Sequence, residues 1–184
     1  MLPAPWEGVS FLRQSCSSDF EEVALPHLHH AYNLARWLAR NDQDAEDIVQ
    51  EAYLRAFRFY CHFRGGDVRP WLLKIVRNTY YTWSRQNRVP KLSIESEEGD
   101  LASRDQPCGN PEELAIQNSS SGLLRNALET LSPHFRELLI LRELEGLSYK
   151  EISNVVGVPT GTVMSRLSRA RTRLRQSVAD LTTG

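Results

Sequence analysis

Residues 147–175 read LSYKEISNVVGVPTGTVMSRLSRARTRLR, and this stretch predicts two helices joined by a tight turn. Ser148 followed three residues later by Glu151 is a capping box, in which each side chain accepts a hydrogen bond from the backbone N–H of the other residue. Gly157 and Pro159 predict the end of the first helix, because glycine tolerates a positive φ and proline cannot continue the hydrogen-bond ladder. The pattern is typical of a helix-turn-helix.

The second helix of this stretch has two faces of different character. Apolar residues recur at intervals of three and four, which places them on one stripe: Val163, Leu167, Ala170, Leu174 and Val178. The opposite stripe carries small or hydroxylic residues and an arginine: Gly161, Ser165, Ser168, Arg169 and Thr172. Small side chains permit close approach to a DNA groove, and arginine donates two hydrogen bonds to guanine. We predict that this helix binds duplex DNA; a surface helix with a solvated basic face is the plainer alternative.

Composition sets broad bounds on the protein. The 184 residues suffice for one large domain or two small ones, and a hydrophobic content of 41% with 24% charged residues is ordinary for a globular chain. No apolar run approaches the roughly 20 residues that span a bilayer. The N-terminal sequence MLPAPWEGVS lacks the pattern of a signal peptide. We therefore expect a cytoplasmic protein that does not insert into membranes.

Charge is divided into blocks along the chain, although the formal net charge is only -1. Between Val68 and Ile94 there are six basic residues and no acid, whereas Glu95 to Glu113 contains seven acids and one arginine. Blocks of opposite charge indicate that separate segments contact separate partners.

Cysteine and histidine give little support to a disulfide framework or a metal site. Cys16, Cys61 and Cys108 are far apart and form no Cys-x-x-Cys pair, so we expect reduced thiols. The cluster of His27, His29 and His30 has two interpretations, a metal site with Cys61 as a further ligand or a partly exposed helix, and the second is the commoner case. The three cysteines and this cluster also leave redox or metal sensing as an open alternative. We predict no cofactor and no metal.

The N-terminal half predicts a flexible arm over residues 1–18 and then two helices. The first runs from Asp19 to Arg40, with Pro26 acceptable only in its first turn. The second begins near Asp42 with several acids, which are favourable at the positive end of a helix dipole. Its buried face consists of alanines and aliphatic residues: Ala45, Ile48, Val49, Ala52 and Ala56. Because acids do not bind DNA, any partner of the charged outer face should be a protein.

A glycine-centred loop, Phe63–Arg69, precedes a predicted helix from Pro70 to Arg88. One arc of this helix is apolar: Leu72, Ile75, Val76, Thr79 and Trp83. The other arc combines cations, an amide and an aromatic ring: Lys74, Arg77, Asn78, Tyr81, Arg85 and Arg88. Cations follow phosphates and aromatic rings stack on unpaired bases at about 1–3 kcal/mol each, so this arc suits single-stranded nucleic acid. A solvated basic helix is the alternative.

Residues 89–121 are rich in proline, glycine, serine and acids and predict a flexible acidic linker. Beyond it, a helix from Gly122 and a second helix capped by Ser132 and ending at Glu145–Gly146 precede the helix-turn-helix. The sequence thus predicts an all-α protein with two small helical domains, residues 19–88 and 122–184.

Four stretches, in this order, resemble the extracytoplasmic-function (ECF, group IV) sigma factors of bacterial RNA polymerase, in the sigma-70 superfamily: DAEDIVQEAYLRAFR at 44–58, FRGGDVRPWLLKIVRNTYYTW at 63–83, LSPHFRELLILRELEGLSYKEIS at 131–153 and VPTGTVMSRLSRARTRLR at 158–175. The resemblance implies a promoter-specific initiation factor that has a sigma region 2 helical bundle and a sigma region 4 helix-turn-helix and catalyses no reaction. It also implies binding to the clamp and flap regions of core polymerase, to promoter DNA and to a cognate anti-sigma factor.

The resemblance assigns three sets of site residues. Docking on the clamp of the largest polymerase subunit would involve Asp44, Asp47, Gln50 and Glu51. Recognition of the melted minus-ten element would involve Phe63, Arg64, Gly65, Asp67, Lys74, Arg77, Asn78, Tyr81 and Arg85. Reading of the minus-thirty-five duplex would involve Thr162, Met164, Ser165, Arg166, Ser168, Arg169 and Arg171. Met164 departs from the lysine or arginine that is common at its place in the family.

Two other functions fit part of the sequence. A conventional helix-turn-helix regulator acting as a dimer would explain Leu147–Arg175 but neither the basic helix nor the acid-rich helix. An enzyme with Asp44, Glu46, Asp47 and Glu51 as metal ligands would need ligands from a second segment, and the sequence has no second cluster with matching spacing. We therefore predict a sigma factor.

Overall fold

The structure is a computed structural model that describes residues 19–87 and 120–183. The predicted arm and nearly all of the predicted linker lie outside these residues. The chain divides into two compact units. Every regular element in the two described ranges is helical, which confirms the predicted all-α class.

The described residues of the first unit contain three long α-helices, which follow a short helical segment at residues 19–24: α1 (Leu28–Ala39), α2 (Asp42–Tyr60) and α3 (Val68–Asn87). Each of these helices packs against the other two. The hydroxyl of Tyr53 in α2 also donates a hydrogen bond of 2.9 Å to the carbonyl oxygen of Ala24, which attaches the preceding segment to the bundle. Burial raises the pKa of Tyr53 to about 12.

The prediction of one continuous helix from Asp19 to Arg40 is wrong. Residues 19–24 are helical, Leu25–His27 forms a 3-10 turn, and α1 begins after that turn. Pro26 lies within the turn. Because proline has no N–H to donate and its ring clashes with the preceding turn, an α-helix does not run through it unchanged.

The buried face of α2 agrees with the prediction: Ala45, Ile48, Val49, Ala52 and Ala56 are all buried. Asn41 precedes the helix, and its side-chain oxygen accepts hydrogen bonds from the backbone N–H groups of Gln43 at 2.8 Å and Asp44 at 3.3 Å. Such an N-cap stabilises a helix start by about 1 kcal/mol. Asn41 therefore fixes where the acid-rich first turn begins.

The helix α3 begins at Val68 rather than at the predicted Pro70. Asp67 explains the earlier start, because its carboxylate accepts a hydrogen bond of 2.9 Å from the backbone N–H of Arg69. The carboxylate thus caps α3, a role that the sequence prediction did not give it.

The buried face of α3 is wider than predicted. Leu72, Val76 and Thr79 are buried as expected, but Leu73 and Tyr80 are buried as well. Ile75 and Trp83, which were predicted to be in the core, are only partly buried. The reason is that α3 packs against both α1 and α2, so that a single narrow stripe does not cover the contact.

The second unit contains four α-helices in its described residues: α4 (Ser120–Thr130), α5 (Pro133–Leu139), α6 (Tyr149–Val156) and α7 (Thr160–Thr183). The long helix α7 packs against α4 and α5. Ser132 precedes α5 as predicted, but its side chain makes no capping hydrogen bond.

The predicted α-helix up to the Glu145–Gly146 break changes its geometry halfway. After α5 the chain forms a π-helical turn over Ile140–Leu144, in which the backbone N–H of Glu145 donates to the carbonyl oxygen of Ile140 at 2.9 Å. A π-turn closes over five residues instead of four, so the residues that follow are rotated relative to an α-helix. Side-chain periodicity does not reveal such a turn.

The side chain of Arg136, which is 0% exposed, joins the end of α4 to α5. Its Nε atom donates to the carbonyl oxygen of Leu128 at 2.9 Å, and Nη2 donates to those of Glu129 at 3.0 Å and Leu131 at 2.8 Å. The carbonyls at a helix C-terminus have no partner within the helix and carry partial negative charge. One buried guanidinium therefore satisfies the end of α4.

We expect Arg136→Met to destabilise the second unit by about 2–4 kcal/mol, since methionine keeps the apolar volume but leaves buried carbonyls without donors. Urea denaturation followed by two signals separates the units. All tryptophans, Trp6, Trp37, Trp71 and Trp83, lie in the N-terminal half. In Arg136→Met, part of the helix signal in circular dichroism should therefore be lost at a lower urea concentration than in the unmodified chain. Tryptophan fluorescence, which reports on the N-terminal half, should keep the same unfolding midpoint.

The matched control is Arg175→Met, at an exposed position of α7. This variant should unfold like the unmodified chain. Identical urea transitions for Arg136→Met and Arg175→Met would contradict the role of the buried arginine.

Candidate nucleic-acid interface

The turn between α6 and α7 is built as predicted. The backbone N–H of Ser148 donates to Glu151 Oε2 at 2.7 Å, and the N–H of Glu151 donates to Ser148 Oγ at 3.3 Å. Gly157 ends α6 with a φ of 80°, and the hydroxyl of Ser153 donates to the carbonyl oxygen of Val158 at 2.6 Å. These bonds fix the angle at which α7 leaves the turn.

The two faces of α7 are oriented as its sequence predicts. Val163, Leu167 and Ala170 are buried, and Leu174 and Val178 are partly buried. The opposite stripe is exposed along its length: Gly161, Ser165, Ser168, Arg169 and Thr172. Packing of the apolar stripe thus leaves the small and cationic side available to a partner.

The residues predicted to contact the minus-thirty-five element fall into two groups. Met164, Ser165, Ser168 and Arg169 are exposed, and Met164 retains 53% of its surface. The other three are partly buried at the edges of this face: Thr162, Arg166 and Arg171. The structure therefore brings the predicted set to one side of a single helix, with the three partly buried residues at its borders.

Arg171 is engaged by a residue that the sequence prediction did not identify. Its Nε and Nη2 atoms both donate to Glu143 Oε1, at 3.1 Å and 2.7 Å. These hydrogen bonds raise the pKa of Arg171, and a further hydrogen bond to the Tyr149 side chain adds to the rise. From its position in α7 the arginine thus contacts residues of the π-turn and of the start of α6.

In the first unit, the loop between α2 and α3 places an aromatic ring beside two glycines in the left-handed region of the backbone. The ring of Phe63 lies 4.9 Å from that of Trp71 and 6.3 Å from that of Tyr60. Gly65 and Gly66 follow with φ values of 83° and 104°, a region that other residues rarely adopt. Trp71 was not among the predicted site residues, although its ring borders the loop.

The remaining loop residues of the predicted minus-ten set, Arg64 and Asp67, are exposed. Arg64 extends the cationic character of the α3 face onto the loop. Asp67 is committed to capping α3, so its substitution would change the helix start as well as any DNA contact.

The outer face of α3 forms a ladder of cations around an aromatic ring. Lys74, Asn78 and Arg85 are exposed, whereas Arg77 and Tyr81 are partly buried. The guanidinium of Arg77 lies over the Tyr81 ring at 4.7 Å, and Arg85 Nε donates to the carbonyl oxygen of Tyr81 at 3.3 Å. Stacked and charged groups of this kind suit a nucleic-acid strand with unpaired bases.

The acid-rich face of α2 contains an apolar residue that the prediction missed. Asp47, Gln50 and Glu51 are exposed, and Glu51 accepts a hydrogen bond from Arg55 at 2.7 Å. Leu54 lies on the same side of the helix and is 51% exposed. Leu54 thus adds apolar surface to an otherwise polar face, and apolar surface with a polar rim is the arrangement found in protein-protein contacts.

Asp44, the fourth predicted docking residue, is partly buried at the start of the same face. Burial raises the pKa of its carboxyl group, and the nearby Asp47 carboxylate adds to the rise. A positive side chain from a partner would oppose both effects, so the face is electrostatically suited to a basic protein surface.

An open apolar groove runs beside this face, between α1 and α2. Its volume is about 740 Å³, and Leu25, Leu28, Tyr32, Val49 and Tyr53 contribute to its walls. Leu25 and Leu28 remain 52% and 45% exposed. The groove therefore offers uncovered apolar surface next to the acids of α2.

The described ranges contain no group of three or more histidine, cysteine or acidic side chains arranged to hold a metal ion. The rings of His29 and His30 lie 3.6 Å apart, and Cys61 is an exposed free thiol. Neither the histidine cluster nor the four acids of α2 is thus supported as a metal site. Within the same ranges, no helix combines the length and apolarity needed to cross a bilayer.

Each of the two units matches a known protein-family model. The family model of Sigma-70 region 2 matches residues 24–89, and that of Sigma-70, region 4 matches residues 121–174. The first match covers the unit that carries the acid face and the cationic face, and the second includes the helix-turn-helix. The chain is therefore a sigma factor of the sigma-70 type, the class of protein that directs transcription initiation.

Individual relatives narrow the class. SigE, an ECF RNA polymerase sigma factor of Mycolicibacterium smegmatis, is 34% identical over 90% of this chain, which spans 64% of that relative's length. The ECF RNA polymerase sigma-E factor of Escherichia coli K12 is 35% identical over 75% of each chain. Among solved structures, the sigma factor RpoE in complex with the anti-sigma factor NepR from Bartonella quintana matches with a TM-score of 0.65 and 27% identity, covering 88% of this chain and 97% of that chain. This protein belongs to the ECF sigma factors.

Membership in this family confirms the predicted class and disfavours the dimeric regulator, which gave no account of the first unit. The roles of individual residues are not decided by these matches. They follow, as proposals, from the geometry of the two units.

We expect Gly65→Ala to destabilise the first unit by about 1–2 kcal/mol, because alanine at a positive φ is strained even where a Cβ has space. The Cβ would meet no atom within 4 Å, so backbone strain alone is tested. Gly161→Ala in α7 is the matched control, since it also has open space but no positive φ. It should stabilise the second unit by about 0.5–1 kcal/mol.

Urea unfolding monitored by tryptophan fluorescence for Gly65→Ala and by circular dichroism for Gly161→Ala measures both effects. The conformation assigned to the loop would be contradicted by an unchanged fluorescence midpoint in Gly65→Ala.

Proposed function

We propose that this chain binds core RNA polymerase and directs it to promoters, with the second unit reading duplex DNA at the minus-thirty-five element and the first unit holding the melted minus-ten element. The observation that carries the proposal is the orientation of α7. Its apolar stripe is buried, and its exposed side carries small, hydroxylic and cationic residues. That combination is what an α-helix needs in order to enter a major groove.

In the duplex-reading unit, Arg169 is the residue most suited to contact a base. It is exposed at the middle of the outer face, between Ser165 and Thr172. The guanidinium fork matches the two acceptors of guanine in the major groove. Arg166 and Arg171, which lie at the edges of the face, are placed for phosphates.

The strand-holding surface is the outer side of α3 with the preceding loop. Lys74, Arg77 and Arg85 supply charge for phosphates, and Tyr81 and Phe63 supply rings for unpaired bases. Removing a base from the duplex costs a few kcal/mol, and stacking on such rings offsets part of that cost. The chain therefore needs no catalytic residue, because opening is favoured by binding alone.

Core polymerase should dock on the acid face of α2, with Leu54 at its centre and Asp47, Gln50 and Glu51 around it. The negative charge of this face repels DNA and favours contact with a basic protein surface. The cytoplasm is the compartment in which such a complex would form.

A cognate anti-sigma factor should cover the groove between α1 and α2. One similar solved structure is a complex of the sigma factor RpoE with the anti-sigma factor NepR. The exposed Leu25 and Leu28 provide apolar contact area next to the acid face. A protein bound there would compete sterically with polymerase for the first unit.

We expect Leu54→Asp to weaken binding to core RNA polymerase by at least about tenfold, since the substitution places a charge in the centre of an apolar contact. Phe59→Asp is the matched control, because Phe59 is a 59% exposed apolar residue of the same helix. It points about 140° away from Leu54 around the helix. Pull-down with purified core enzyme measures both, and equal losses would contradict the assignment of the docking face.

We expect Arg169→Ala to reduce discrimination among minus-thirty-five sequences, whereas Arg85→Ala should weaken binding evenly and lower its salt dependence by about one phosphate contact. Run-off transcription by the reconstituted holoenzyme on a promoter library measures discrimination among minus-thirty-five sequences. The salt dependence of DNA binding measures the number of phosphate contacts. If both substitutions had similar effects on every promoter variant, the assignment of Arg169 to bases and of Arg85 to the DNA backbone would be wrong. No binding to core enzyme, together with tight binding of the chain alone to duplex DNA, would instead favour a conventional regulator.

A further inference from the structure

The ion pair between Glu143 and Arg171 lies at the border of the DNA-reading face. Glu143 belongs to the π-turn after α5, and Arg171 to α7, 28 positions later. Both hydrogen bonds of the pair end on the same carboxylate oxygen, at 3.1 Å and 2.7 Å. Tyr149 contacts the arginine as well, and its ring is covered on one side by the guanidinium of Arg142 at 4.7 Å.

This pair is poorly suited to act as a staple for the fold. The side chains of Arg171 and Glu143 are 40% and 52% exposed, and exposed ion pairs contribute little to stability because water and salt screen them. The unit is already held by the buried stripe of α7 and by the buried Arg136. A weak, exposed pair exchanges its partner easily.

A phosphate of bound DNA is the natural alternative partner for Arg171. Arg171 follows Ser168 by three positions and Met164 by seven, which puts all three on neighbouring turns of one side of α7. Met164 and Ser168 are exposed. Like a carboxylate, a phosphate accepts parallel hydrogen bonds from the guanidinium fork. DNA lying against the outer face would therefore present an equivalent acceptor beside the one that Glu143 supplies.

We propose that Glu143 competes with DNA phosphate for Arg171 and so lowers the affinity of the chain for DNA of any sequence. The inference rests on the proposed binding of duplex DNA by α7 and adds a regulatory residue to that surface. Phosphate contacts supply most of the sequence-independent affinity. When the phosphate contact of Arg171 is weakened in this way, a larger part of the total binding free energy comes from residues that face the bases, such as Arg169.

The test is the affinity of the full-length chain for a fluorescently labelled duplex of mixed sequence, measured by anisotropy over a series of salt concentrations. The variants are Glu143→Gln, Arg171→Gln and the double substitution. We expect Glu143→Gln to bind roughly two- to fivefold more tightly, since it releases Arg171 from an exposed pair. Arg171→Gln should bind more weakly, with a salt slope reduced by about one.

The double variant separates competition from a general effect of removing an acid. Glu143→Gln should have almost no effect when Arg171 is already glutamine. If Glu143→Gln increased DNA affinity equally with arginine and with glutamine at position 171, the proposal would be overturned. The Glu143 carboxylate would then act only by electrostatic repulsion of the DNA. Unchanged affinity of Glu143→Gln, with or without a lower melting temperature, would overturn it too and leave a structural contact.

The same binding experiment tests the proposed function of α7 separately from the proposed competition, by means of the variant Arg169→Ala. On a duplex that carries a transcribed minus-thirty-five element, Arg169→Ala should weaken binding whether or not Glu143 competes for Arg171. If Arg169→Ala and Arg171→Gln both bind the duplex as the unmodified chain does, α7 is not the duplex-reading helix, and both proposals fall. If these two variants bind weakly and only Glu143→Gln lacks an effect, the competition alone is refuted.

Discussion

Burial of one stripe of α7 is the constraint on which the second unit depends. When α7 packs against α4 and α5, three of its apolar side chains become buried: Val163, Leu167 and Ala170. Because a helix has 3.6 residues per turn, fixing this stripe also fixes which residues face outward. The capping box at Ser148 and the buried Arg136 hold the neighbouring elements to which the stripe must fit. The orientation of the exposed face of α7 is thus a consequence of core packing.

The first unit keeps two surfaces of opposite charge on different helices. The outer side of α2 is acidic around Leu54, and the outer side of α3 is cationic around Tyr81. A three-helix bundle in which every helix contacts the other two leaves each helix one outer side, so two partners can bind without sharing residues. Acids repel DNA and cations attract it, so the two sides are suited to partners of different chemistry, a basic protein surface on α2 and a nucleic-acid strand on α3.

Features that depend on neighbouring residues were predictable from the sequence. The capping box, the turn at Gly157 and the buried faces of α2 and α7 follow from spacing over a few residues. Features that depend on distant residues were not. Arg136 satisfies carbonyls of another helix, and Glu143 reaches a partner 28 positions away. The π-turn also escaped prediction, because a change of hydrogen-bond register leaves the apolar pattern nearly unaltered.

We propose that the two units contact two different parts of one promoter, and cleavage of DNA by tethered iron chelates measures this most directly. A chelate is attached to a single cysteine placed by Ser165→Cys in α7 or by Asn78→Cys in α3, with Cys16, Cys61 and Cys108 replaced by serine. In holoenzyme on a transcribed promoter, α7 should direct cuts to upstream duplex and α3 to the melted segment near the start site. Cuts from both positions in the same duplex segment, or none from either, would contradict the claim.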